Sequence, residues 1–138
     1  MGAERTVAYR GRKFTIAFAR DGSGASPGEE FFDQLETADK AKVMNLFRIL
    51  GDHGKHTNPE KFGDLGQGLF EFKSFQIRMP YAYASDEKGM ILITHGFWKK
   101  RDKASPSEID RARKILQQDA AAAKIRVISE HKPKKRES

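Results

Sequence analysis

Two four-residue signatures constrain this chain more than any other feature. Ser26-Pro27-Gly28-Glu29 and Ser105-Pro106-Ser107-Glu108 each set out a hydroxyl for a helix N-cap, a proline for the first helical position and a glutamate able to reach back to the cap. Apolar residues at three- and four-residue spacing follow both: Phe31, Phe32, Leu35, Ala38, Ala41, Met44, Phe47 and Leu50 after the first, then Ile109, Ala112, Ile115 and Leu116 after the second. The first pattern predicts a helical hairpin or one kinked helix, with Thr37 able to cap a second helix ending at Gly51. The second predicts a helix running to about Lys124.

Between them lies the material of a sheet. Residues 51–68 contain five glycines and one proline without periodicity, and read as a loop with a short turn around 59–62. Residues 69–75, 76–85 and 89–97 are rich in Phe, Tyr and Ile, and Asp86-Glu87-Lys88-Gly89 supplies a turn, so an antiparallel meander follows. Pro80 lacks a ladder donor and belongs near an edge or a bulge. Ahead of the first helix, Val7 and Tyr9 alternate in one phase and Phe14, Ile16 and Phe18 in another, which reads as a hairpin or bulged strand, most firmly over 13–19. The expected fold is α+β: a twisted antiparallel sheet of about four strands, two N-terminal helices and one C-terminal helix, all packed on one face.

The length of 138 residues fits one domain, placed at 1–130, with 131–138 a basic tail without core-forming residues and expected to be disordered. Cysteine is absent, which excludes a disulfide scaffold, a thiolate nucleophile and a cysteine zinc site. No run approaches the 18 apolar residues of a membrane helix, and charges occupy the place of a signal peptide's apolar core, so a soluble cytoplasmic protein is expected. Charge is unevenly spread: five basic against one acidic residue in 1–20, five against nine in 21–70, and sixteen against nine in 71–138. That bias suits a polyanion, because clustered Lys and Arg release counterions from phosphates.

One set of residues is more specific. Phe31-Phe32-x-x-Leu35, Gly51, the strand Leu69-Phe70-Glu71-Phe72-Lys73, Arg78, then His95-Gly96-Phe97-Trp98-Lys99-Lys100 and Ser105-Pro106-x-Glu108-Ile109-x-x-Ala112 stand in one order. Across residues 14–118 this resembles the phage-derived HigB-like branch of the RelE/ParE toxin superfamily. The resemblance implies a type II toxin-antitoxin toxin that enters the ribosome, cleaves mRNA without a metal or cofactor, and is blocked by a cognate antitoxin protein. Cleavage by a ribose 2′-OH needs a proton acceptor, cations for the phosphorane and a donor for the departing oxygen.

Carried over residue by residue, the resemblance assigns Arg78, Lys99 and Lys100 to the catalytic cluster. Lys73 stands where the family has Arg, keeping charge but losing the planar fork. Glu71, two positions before Lys73 on the same strand face, orients a basic neighbour or forms a structural ion pair. Arg101 and Lys103 extend the cluster toward RNA, and Trp98 either stacks on a base or packs against the last helix. No Tyr follows Tyr83, where family members carry a Tyr or His near the scissile phosphate, and His131 lies in the tail. His95 is the substitute, although its phase with Ile91, Ile93 and Phe97 also fits a core histidine. His53 and His56 invite a metal reading that a glycine-containing loop does not support. Gly63-x-x-Gly66-x-Gly68 precedes a strand where a phosphate loop needs a helix, and reads as a turn. Two further functions remain open on the same scaffold: a ParE-like DNA gyrase poison, and a catalytically silent relative binding nucleic acid or antitoxin.

Overall fold

The computed structural model describes residues 4–54, 58–100 and 105–137, with side chains as far as residue 123. Among these residues the fold is mixed α+β, with three helices on an open sheet of seven strands. Strands β1 (Thr6–Arg10) and β2 (Thr15–Phe18) lead to helices α1 (Pro27–Asp33) and α2 (Thr37–His53). Then come β3 (Phe62–Gly66), β4 (Leu69–Ser74), β5 (Ile77–Tyr83), β6 (Met90–Ile93), β7 (Phe97–Trp98) and α3 (Pro106–Glu137). The strands lie in the order β1-β2-β6-β5-β4-β3, and β7 also pairs with β5. No described helix is long and apolar enough to cross a membrane.

Three expectations about the sheet need correction. It has seven strands where about four were expected, because residues 6–10 and 15–18 form two paired strands, the glycine-rich 62–66 pairs antiparallel with β4, and the run over 89–97 divides into β6 and β7. It is not wholly antiparallel: β2 lies parallel to β6, from Thr15 opposite Met90 to Phe18 opposite Ile93. Nor do the helices share one face. Ile16, Phe18, Phe72, Ile77, Met79, Tyr81, Ile91 and Ile93 face Val43, Leu46, Phe47 and Leu50 of α2, whereas Ala17, Ala19, Leu69, Ala82, Met90 and Leu92 face Ala112 and Ile115 of α3. The alanines make the second face shallow enough for a helix to lie close.

Local signals were carried out with small changes. Ser26 is the N-cap residue of α1, but its hydroxyl makes no capping bond and is buried without a partner. Glu36 is the N-cap residue of α2, with Thr37 already inside the helix, and the helix runs past Gly51 to a left-handed Gly54. Gly51 is instead a crossing point: its carbonyl accepts from the N–H groups of Lys13 and Phe14, and a Cβ there would sit 3.0 Å from the Tyr9 ring. At α3 the Ser105 hydroxyl does accept from the Glu108 N–H, at 3.4 Å. The helix then extends to Glu137, beyond the end expected near Lys124.

Pro80 sits in a central strand, at a gap between partners. β6 pairs with residues 81–83 and β7 with Ile77 and Arg78, on the same side of β5. The Pro80 carbonyl accepts from the Thr94 N–H at 2.9 Å, so its ring nitrogen faces the break between β6 and β7, where a missing donor breaks no regular ladder bond.

Candidate functional site

Strand alternation brings most of the singled-out residues onto the face that α3 partly covers. On β4 that face carries Leu69, Glu71 and Lys73 in turn, and on β5 it carries Ala82, Pro80 and Arg78. Ala112 of α3 packs on the Leu69 and Ala82 end. Glu71 opposite Pro80, then Lys73 opposite Arg78, step outward from there toward the turn that joins the two strands. Phe97 on β7 pairs with Arg78, and Lys99 follows with its N–H on the Gln76 carbonyl at 2.6 Å.

The charges are unequally accessible. Glu71 is only 8% exposed and Arg78 9%, while Lys73 and Lys99 are half-buried and Lys100 is exposed. The Arg78 Nη1 donates to the carbonyls of Phe75, at 2.6 Å, and Ile77, at 2.9 Å. Its Nε is buried without a partner, as is Oε1 of Glu71. Burial pushes the Glu71 carboxyl above the ordinary glutamate range, against the opposing pull of Arg78, Lys73 and Lys99. A buried carboxylate with an unused oxygen beside three cations is a costly arrangement, and such arrangements are concentrated at functional sites.

Gly63 of β3, opposite Glu71, makes room for this group. A Cβ at that position would come within 3.1 Å of Cγ and Oε2 of Glu71 and 3.5 Å of Cε of Lys73. The glycine read from sequence as part of a turn is therefore a strand residue under the site; the turn itself is Gly66-Gln67-Gly68, all at positive φ. Nothing in the spacing of the glycines distinguishes the two uses.

His95 is displaced from the role offered to it. It is fully buried, with Nδ1 2.9 Å from the Thr94 hydroxyl and Nε2 2.9 Å from Oε1 of Glu108, and it stacks on Phe97. A carboxylate only accepts, so Nε2 carries a proton toward Glu108, while the Thr94 hydroxyl lies between Nδ1 and the Pro80 carbonyl. Burial holds its pKa below the ordinary histidine value, with Arg111 adding to the effect and Glu108 opposing it. Glu108, read from sequence as the second capping-box glutamate, thus fastens the first turn of α3 to the sheet.

Trp98 lies on the other face. It pairs with Ile77, stands 6.0 Å from the Phe31 ring of α1, and is 51% exposed; its partner is α1 where the last helix was considered. Arg101, Lys103 and His56 lie outside the described residues, and His53 is exposed at the end of α2. The sequence offered no sign of Thr94, Arg111 or Gly63 as parts of the site.

The fold and this face define a small basic α+β protein that presents cations around a buried carboxylate on a twisted sheet. Residues 30–117, more than half of the chain, match the model of the phage-derived Gp49-like proteins (DUF891), and the chain belongs to that family. The family is toxin-like, related to RelE and HigB toxins and associated with toxin-antitoxin toxins. No curated protein matches the chain. The matched span includes Glu71, Lys73, Arg78, His95, Lys99 and Glu108.

Proposed function

We propose that this protein is the toxin of a toxin-antitoxin pair and acts as a ribosome-dependent mRNA endonuclease, held inactive by a cognate antitoxin protein. The observation that carries the reading is the convergence of Glu71, Lys73, Arg78 and Lys99 on one sheet face. Lys73 and Lys99 are the cations a phosphate can reach, and they neutralise charge on the pentavalent phosphorane. Arg78 lies beneath them, fixing the β4–β5 turn through two carbonyls and adding its charge from below. Glu71, buried beneath the cations, sets its charge against Arg78, Lys73 and Lys99 and orients them. His95 acts as a positioning residue through Glu108. Lys100 and, outside the described residues, Arg101 and Lys103 extend the positive field along the RNA path.

The test is induced expression without antitoxin, followed by growth and by primer extension on translated mRNA, with the Lys73→Ala/Lys99→Ala double variant alongside. The expected result is growth arrest with cuts that require ribosomes, both lost in a variant that melts at the wild-type temperature. Arrest with intact mRNA would transfer the protein to a ParE-like gyrase poison. Absence of arrest would leave a silent binding relative, a reading that the burial of Arg78 favours.

A further inference from the structure

Where α2 stops, the sheet face beneath it continues. A cavity of about 260 Å³ opens there between Gly54, the left-handed residue that caps the helix, and strands β3 to β5. Strand pairing puts Asp64, Phe70 and Tyr81 side by side in one row, with Phe62 and Tyr83 each two residues away along β3 and β5. All five lie on the face that α2 packs against, so the cavity is on the opposite side of the sheet from Glu71 and Lys73. Phe70 stacks on Tyr81 at 5.5 Å and meets Tyr83 edge-on at 6.0 Å, and Tyr83 in turn meets Phe14 edge-on at 5.4 Å. Tyr83 is nevertheless 46% exposed. Asp64 is exposed too, and its Oδ1 accepts from the Gly66 N–H at 2.8 Å, which orients the carboxylate. Its charge reaches inward: burial first, then Tyr83 and Asp64, push the Tyr81 phenol up.

The groups that line this space favour one sign of charge. Aromatic faces are negative, Asp64 is a carboxylate, and Gly54 brings the negative end of the α2 dipole to the cavity. No lysine, arginine or histidine is among the described residues that line it, in a chain of net charge +7. The stem of Lys13 passes Gly54, with Cδ 3.1 Å from where a Cβ would stand there, without lining the cavity. A nucleic acid strand is unsuited, because its phosphates would meet a carboxylate and no cation. A purely apolar side chain would leave Asp64 unused. The cavity is also smaller than the pockets of about 300–1,000 Å³ that take drug-sized ligands, and suits a single side chain.

We propose that this cavity binds one organic cation, the ammonium or guanidinium head of a lysine or arginine side chain presented by a protein partner, held against Phe70 and Tyr83 with Asp64 as counter-ion. It goes beyond the endonuclease reading and stands apart from it, since it uses none of the residues of the cation cluster.

The experiment follows the backbone amide signals of the isotope-labelled full-length protein during titration with N-acetyl-lysine amide and with N-acetyl-norleucine amide, which has the same stem without the charge. Wild type is expected to show shifts confined to residues 54, 62–64, 70 and 81–83, and to bind the lysine compound about tenfold more tightly than the norleucine one. Asp64→Asn keeps an acceptor for Gly66 but no charge, and Tyr83→Leu removes an exposed ring; each should lower that preference about fivefold with the other signals in place. Tyr83→Phe should retain it. Equal binding of the two compounds, shifts elsewhere on the molecule, or an undiminished preference in Asp64→Asn overturns the site. Binding that appears only in Lys13→Met or Lys55→Met overturns it as well, because one of the chain's own lysines would then be the occupant. Spermidine bound about tenfold more tightly than the lysine compound overturns the protein partner and gives the cavity to a free polyamine. None of these results touches the endonuclease reading, which is decided by cleavage.

Discussion

Glu71 is the residue on which stability and activity pull apart. Its carboxyl is buried, one oxygen has no partner, and its folded-state pKa lies above the unfolded one. The native state therefore holds the proton more tightly than the unfolded state, and above the unfolded pKa the charged group weakens the fold. Glu71→Gln removes that charge at constant shape and is expected to raise the melting temperature at pH 7 by a few degrees while abolishing cleavage. A melting curve and primer extension on one sample check both. A purely structural ion pair would give the opposite first result. Gly63→Ala tests the same spot without altering a charge. The added methyl meets the Glu71 side chain at 3.1 Å and displaces it, so cleavage should drop by at least tenfold with RNA affinity nearly unchanged.

At the scale of elements, the first turn of α3 is held by one titratable contact. His95 is lowered by burial, so its neutral form is the native one, and stability present above pH 6.5 is lost as pH falls below that value and the unfolded chain takes up a proton. The melting temperature of wild type should decline between pH 7 and pH 5 relative to that of His95→Gln, which does not titrate. Equal slopes would show that the ring is not the group responsible. Helix α2 is held at Gly51, where the β1–β2 hairpin crosses. Gly51→Ala is expected to cost about 1–3 kcal/mol in urea unfolding, because the methyl meets the Tyr9 ring and the Phe14 carbonyl.

Elements were legible in the sequence where their signals are local. The two Ser-Pro starts, the strands over 69–75 and 76–85 and the buried stripe of α3 appear where cap signals and periodicity put them, whereas the run over 89–97 is broken into β6 and β7. β3 was not, because Phe62-Gly63-Asp64-Leu65-Gly66 has the composition of a loop and becomes a strand only through pairing with β4. The face chosen by α3 was hidden for a related reason: Ala17 and Ala82 read as neutral until a helix lies on them. In the site, Glu71, Lys73 and Arg78 could be placed together by counting alternate residues. The Glu108 bond to His95 could not, since its spacing spells a helix cap equally well.

Over the whole molecule the sheet is closed by its ends. Arg5, next to β1, donates to the buried Asp119 of α3 and to Asp86 of the β5–β6 turn, and Asp119 also accepts from the Arg20 N–H at 2.9 Å. Breaking this set from one side leaves a guanidinium buried with half its partners. Asp119→Ala should accordingly cost about 3–5 kcal/mol, read as a shift of the urea midpoint at unchanged slope.

The parallel pairing of β2 with β6 also sets an order in time. A strand made at residues 15–18 must wait for residues 90–93 before it has its inner neighbour, and Arg5 must wait for Asp119. At synthesis rates of about 5–20 residues per second, the 114 positions from Arg5 to Asp119 take roughly 6–23 s to be made. Throughout that interval the nascent chain lacks its finished sheet, so the first strands wait, unsheltered, for partners made more than seventy residues later.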